Sequence, residues 1–114
     1  MLSYYANILT ILSALPAIST GALELMPVIK RDGFSSKKAQ VGVMHALIND
    51  ITVLGAAFNW WSRRSHAEVL PSGLNVLVST VLAVPASLFA AYLGGSLVYV
   101  HGMGIGRAKA KKSQ

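Results

Sequence analysis

Residues 92–106 read YLGGSLVYVHGMGIG and decide the fold, because an apolar run ends here in a histidine, spaced glycines and a basic tail. Tyr92 and Tyr99 are amphipathic side chains of the kind that lie at the interface between membrane and water. Gly94 and Gly95 allow a second backbone to approach closely, as small residues do between membrane helices. The stretch therefore predicts the end of a transmembrane helix.

The composition favours a membrane protein over a soluble one. Of the 114 residues, 54% are hydrophobic and 12% are charged, whereas roughly a quarter of the residues in soluble domains are charged. The absence of cysteine excludes disulfides, thiolate metal sites and cysteine nucleophiles. The net charge of +6 comes from three short basic clusters between apolar runs. We therefore expect contact with membrane lipids and no binding of nucleic acid.

Three apolar runs predict an all-α integral membrane bundle with transmembrane helices at about 4–29, 39–61 and 73–100. Pro16 is expected to kink the first helix, and Pro85 to interrupt the third. The small residues of the third helix predict close packing against the other two. Residues 1–105 then form the transmembrane domain, and residues 106–114 a basic, solvated tail. A β-barrel is excluded because the runs lack alternating polarity.

The distribution of basic residues predicts the orientation of these helices. Eight lysines and arginines lie in the loop 30–38 and the carboxyl tail, and two lie in the loop between the second and third helices. Since basic loops stay on the cytoplasmic side, the loop 30–38 and the tail are expected in the cytoplasm or its organellar equivalent.

Five polar residues are candidates for a site within the membrane: Glu24, His45, Asn49, Asp50 and His101. In the predicted topology, Glu24 and His45 lie at the same depth, and His101 lies at the same end of the bundle. His45 and His101 are candidate ligands of a haem b, with Glu24, Asn49 and Asp50 as supporting or proton-handling groups. A proton relay or the binding of a quinol-like headgroup is the alternative without metal. The simplest reading is that these groups hydrogen-bond between helices, and that His101 caps a helix end.

Two stretches carry a resemblance to a known family. Residues 93–105, LGGSLVYVHGMGI, resemble the closing signature of the family of membrane proteins with the domain of unknown function 2231, and MHALIN at 44–49 resembles the start of its penultimate helix. Members of that family typically have four spans, so we expect this chain to lack the first one. The family's histidines, and the redox modules that often accompany it, imply electron transfer.

Together these observations predict a haem-binding or redox-associated membrane subunit that uses His45 and His101 and has no catalytic activity of its own. The alternative is a non-catalytic scaffold or accessory subunit of a larger membrane complex. Either function implies other membrane subunits or a homo-oligomer as partners.

Overall fold

The computed structural model describes residues 1–104, and within them the chain forms three long helices. Helix α1 spans Leu2–Asp32, α2 spans Lys37–Arg63 and α3 spans Gly73–Tyr99. All three are long and apolar enough to cross a membrane. The three predicted spans are therefore confirmed: the start of the third is at the predicted residue, and the other boundaries shift by one to three residues. The predicted tail, 106–114, lies outside the described residues.

The helix boundaries are fixed by local capping interactions. Helix α1 ends at Gly33, whose φ of +74° lies in the region that favours glycine. Helix α2 begins after Ser36, whose hydroxyl accepts a hydrogen bond from the Ala39 amide at 3.2 Å. Helix α3 begins after Ser72, which forms a capping box with Asn75. These short connections make neighbouring helices antiparallel.

Helix α3 widens into a π-helical segment over Val78–Ala83, directly before Pro85. Proline has no amide hydrogen to donate, so a regular α-helix cannot pass through this position with every hydrogen bond intact. A widened turn is one way in which a membrane helix accommodates that loss. The interruption predicted at Pro85 therefore takes the form of a π-helical segment. Helix α1, in contrast, continues through Pro16 and Pro27.

Helix α2 is the central helix, since α1 and α3 both pack against it and make few contacts with each other. Gly42 of α2 faces Leu25 of α1, and a methyl group at Gly42 would lie 2.5 Å from Leu25 Cδ1. Gly55 of α2 lies close to Ala83 of α3. Small residues of α2 thus allow both α1 and α3 to pack closely against it. The prediction that the third helix packs against both others is confirmed for α2. It is wrong for α1, because α1 and α3 make few contacts with each other.

Candidate functional site: a cleft lined by all three helices

Because α1 and α3 both pack on α2 and make few contacts with each other, they leave between them a cleft of about 760 Å³. Its lining is mostly apolar, with a few polar side chains from α1 and α2. A volume of this size lies within the range of sites that bind small molecules and cofactors. Four of the five residues predicted for a site line this cleft: Glu24, His45, Asn49 and Asp50.

His45 is held on α3 by a hydrogen bond to the backbone. Its Nδ1 atom lies 2.8 Å from the carbonyl oxygen of Ala90. A carbonyl only accepts hydrogen bonds, so Nδ1 donates and the neutral ring keeps its lone pair on Nε2. Binding of Nδ1–H by a backbone carbonyl is the arrangement that fixes the tautomer and orientation of histidines that bind metals through Nε2.

Gly94 provides the space that the imidazole of His45 occupies. A methyl group at Gly94 would lie 3.0 Å from Cε1 of His45 and 3.5 Å from its Nδ1. The adjacent Gly95 has no atom within 4 Å of the corresponding position. Of the two glycines in the opening stretch, Gly94 is therefore the one that the contact between α2 and α3 requires.

Asn49 lies one turn after His45 and contacts its ring. The amide nitrogen of Asn49 is 3.0 Å from the His45 carbonyl oxygen, 3.1 Å from Nε2 and 3.4 Å from Nδ1. A donor to the Nε2 lone pair would lie in the ring plane, much closer to Nε2 than to Nδ1. The similar distances place the amide over the face of the ring instead. Within residues 1–104, the Nε2 lone pair therefore has no in-plane donor.

Two carboxylates share the cleft with His45. Glu24 lies eight residues before the end of α1 and His45 eight residues after the start of α2, so both are about 12 Å from the connecting loop. Asp50 is the middle residue of α2, and its side chain is exposed to the cleft. The cleft thus combines an imidazole, a carboxamide and two carboxylates at membrane depth.

His101 lies apart from these groups, at the end of α3. Its backbone amide donates to the carbonyl oxygen of Ser96 at 3.1 Å, and its side chain is not among those that line the cleft. The following amides close the helix: Gly102 donates to Val98 at 3.1 Å and Met103 donates to Leu97 at 2.8 Å. These two hydrogen bonds span four and six residues, one residue more in each case than in the Schellman motif, and the φ of +61° at Gly102 turns the chain back at the end of the helix.

The hydrogen bond from the Met103 amide to Leu97 brings Met103 back onto the helix, and Met103 lines the cleft. Met103 is not among the five site residues that were predicted from the sequence. A glycine after the last apolar turn, followed at once by an apolar residue, is the sequence signal that could have identified it. The thioether of methionine is also a known type of haem ligand.

The side chains of residues 1–104 do not bring three His, Asp or Glu groups together in a way that could hold a bare metal ion. A haem differs because its porphyrin supplies four of the iron ligands and the protein supplies only axial ones. His45 is placed for that simpler role.

A second polar group, the asparagine cluster, joins the opposite end of α2 to α3. Asn75 Nδ2 donates to Asn59 Oδ1 at 2.9 Å and to Ser62 Oγ at 2.6 Å. Asn59 Nδ2 donates to Ser79 Oγ at 2.7 Å, and Ser72 Oγ donates to Asn75 Oδ1 at 2.8 Å. Asn59 and Asn75 are only 4% and 5% exposed. Their amide groups are paired with each other and with hydroxyls, as buried polar groups require.

Comparison with known families gives one match. The profile of a family described as predicted membrane protein (DUF2231) matches residues 1–107. Among curated proteins and among solved structures, no significant match was found.

Proposed function

The chain belongs to the DUF2231 family of predicted membrane proteins, and from the geometry of its cleft we propose that it is a membrane subunit that binds a haem-type cofactor there, with His45 as a ligand of the iron. The observation that carries this proposal is the state of the His45 ring. Its Nδ1 is fixed on the Ala90 carbonyl, and among residues 1–104 its Nε2 lone pair has no in-plane donor.

The residues of the cleft fit a haem in three respects. The volume of about 760 Å³ is adequate for a ligand of cofactor size, and the lining is mostly apolar. The fixed tautomer of His45 presents the nitrogen that binds iron. His101 and Met103 are the candidates for a second axial ligand, and Met103 has the stronger case because it lines the cleft.

The remaining polar residues would act on this site from the cleft walls. Asn49 covers one face of the imidazole and so restricts its rotation. Glu24 and Asp50 place acidic groups beside His45 at membrane depth, where such groups commonly handle protons. A haem bound here supplies one-electron transfer, which is the redox role that we propose for the subunit.

A visible absorption spectrum of the purified protein after incubation with haem b tests this proposal. We expect a Soret band that saturates at one haem per chain and that is lost in His45→Ala. His66→Ala is the matched control, because His66 is exposed in the loop between α2 and α3 and should leave the band unchanged. Of His101→Ala and Met103→Leu, only the variant that removes the second ligand should shift the band. A folded wild-type protein that takes up no more haem than His45→Ala contradicts the proposal.

A non-catalytic scaffold is the second candidate. It is favoured by the same hydrogen bond between His45 and Ala90, because this bond also fastens α2 to α3. In a scaffold, His45→Ala lowers the thermal stability of the protein whether or not haem is present. In a haem subunit, added haem raises the stability of the wild type and not that of His45→Ala.

A further inference from the structure

Arg63 is the last residue of α2 and lies at the end of the bundle opposite the loop between α1 and α2. It is a cation that is only 5% exposed. Its Nη1 donates to Ser3 Oγ at 2.9 Å, and its Nη2 donates to the carbonyl oxygens of Val69 at 3.0 Å and Ala67 at 3.4 Å. The ring of Tyr4 lies 6.0 Å from the guanidinium carbon. All of these partners are electrically neutral.

Two features of Arg63 remain uncompensated. No carboxylate of residues 1–104 forms an ion pair with it, and its Nε atom is buried without a hydrogen-bond partner. A buried charge and a buried donor both cost free energy unless something pairs with them. The surroundings of Arg63 therefore favour an additional, negatively charged partner.

Arg63 lines a small cavity of about 150 Å³ between the ends of the three helices. Asn7 also lines it, and the Asn7 carboxamide makes no hydrogen bond with any residue that the structure describes. The hydroxyls of Ser3 and Ser79 accept hydrogen bonds from Arg63 and Asn59, which leaves each hydroxyl hydrogen available to a ligand. The cavity thus combines one uncompensated cation with several unused donors, and it is too small for a cofactor.

We propose that this cavity binds a tetrahedral oxyanion of the phosphate class, held by Arg63 and Asn7 with support from Ser3 and Ser79. A phosphate group offers several acceptor oxygens and negative charge, which match the charge of Arg63, the Nη1 hydrogen that Ser3 does not use, and the neutral donors of the cavity. Trp60 and Trp61 precede Arg63 and mark the depth of the lipid headgroups. The phosphate can therefore belong to a phospholipid or to the free anion. The site lies about 27 Å along α2 from His45 and is independent of the proposed cofactor.

The test measures thermal unfolding of the full chain, purified in phosphate-free detergent, against increasing concentrations of three probes. These are inorganic phosphate, dioleoylphosphatidic acid, and dioleoylglycerol, which has the same acyl chains without the phosphate. We expect saturable stabilisation by a phosphate-bearing probe and none by dioleoylglycerol. Stabilisation by inorganic phosphate identifies a site for the free anion, whereas stabilisation by phosphatidic acid alone identifies a lipid headgroup site.

Matched variants test whether the stabilisation by phosphate arises from binding in this cavity. Arg63→Lys keeps the charge but removes the forked donors, and should weaken binding by about tenfold. Arg64→Lys is the control, because exposed Arg64 lies over the Trp61 ring at 3.4 Å and does not line the cavity. Asn7→Ala removes no hydrogen bond of the described fold, so it tests the site even if Arg63→Lys fails to fold.

The proposal is overturned by any of three results. The first is no saturable effect of either phosphate probe. The second is equal stabilisation by dioleoylglycerol and phosphatidic acid. The third is that Asn7→Ala, and Arg63→Lys if it folds, bind phosphate as strongly as the control variant Arg64→Lys.

Discussion

The two polar regions of α2 differ in how their side chains are paired. In the asparagine cluster, Asn59 and Asn75 are almost fully buried, and their amides bond to each other and to hydroxyls. In the cleft, His45 and Asn49 are half-buried, Asp50 is exposed, and free volume lies beside them. Both regions include polar residues of α2, Asn59 in the asparagine cluster and His45, Asn49 and Asp50 in the cleft.

This difference distinguishes polar residues that stabilise helix packing from polar residues that are available to bind a ligand. A polar network whose members satisfy one another fixes how two helices pack and leaves little for a ligand. Polar groups that border free volume, with an unused acceptor such as His45 Nε2, contribute less to packing and are available for binding. Substitutions in the asparagine cluster should therefore affect stability more than substitutions of polar residues in the cleft.

The largest effect is expected for Asn75→Ala. This change removes the capping-box side chain of α3 and the hydrogen bonds from Asn75 to Asn59 and Ser62. The lost hydrogen bond from the Ser72 amide to the Asn75 side chain costs about 1 kcal/mol, and interhelical hydrogen bonds in membranes contribute about 0.6 kcal/mol each. The free energy of unfolding in mixed micelles should thus fall by about 2 kcal/mol.

The control for this variant is Thr80→Ala, which removes a hydroxyl that bonds only to Val76 of its own helix. Its expected loss is below about 0.5 kcal/mol. Equal losses in the two variants would mean that the asparagine cluster does not fasten α2 to α3.

A smaller effect is expected for Gly94→Ala, which tests the boundary of the cleft. The new methyl group would lie 3.0 Å from His45 Cε1, so the ring would have to shift by a few tenths of an ångström, which strains its hydrogen bond to Ala90. Overpacking of this kind costs about 1 kcal/mol or more, and displacement of the ring should also weaken haem uptake. Gly95→Ala makes the same chemical change in open space and should preserve both properties.

Stability and haem uptake are measured on the same preparations of these two glycine variants. If Gly94→Ala and Gly95→Ala behave alike, then His45 is not held against α3 in the way that the structure describes.

The sequence predicted the three helices well because length and apolarity reflect the membrane directly. It placed their ends less well, because Gly33, Ser36 and Ser72 set them through local capping. The sequence also singled out Glu24 and His45 as residues at equal depth, and the structure places both on the cleft.

Other features of the candidate site depend on tertiary geometry. The pairing of Asn59 with Asn75 follows from the register of two antiparallel helices, which periodicity alone does not give. The cleft lies where α1 and α3, each packed closely on α2 at small residues such as Gly42 and Gly55, make few contacts with each other. Met103 reaches the cleft only because Gly102 adopts a positive φ.

The smallest effect on stability is expected for Asp50→Asn. This variant is the most direct test of the difference between the asparagine cluster and the polar residues of the cleft. Asp50 is the middle residue of α2, where an unpaired carboxylate in lipid would be costly. Its side chain borders the cleft and forms no ion pair within residues 1–104. Because the fold does not use this carboxylate, its replacement by an amide of the same size should change the free energy of unfolding by less than about 0.5 kcal/mol. A loss as large as that of Asn75→Ala would show that Asp50 has a structural role, and the distinction between the two polar regions of α2 would then fail.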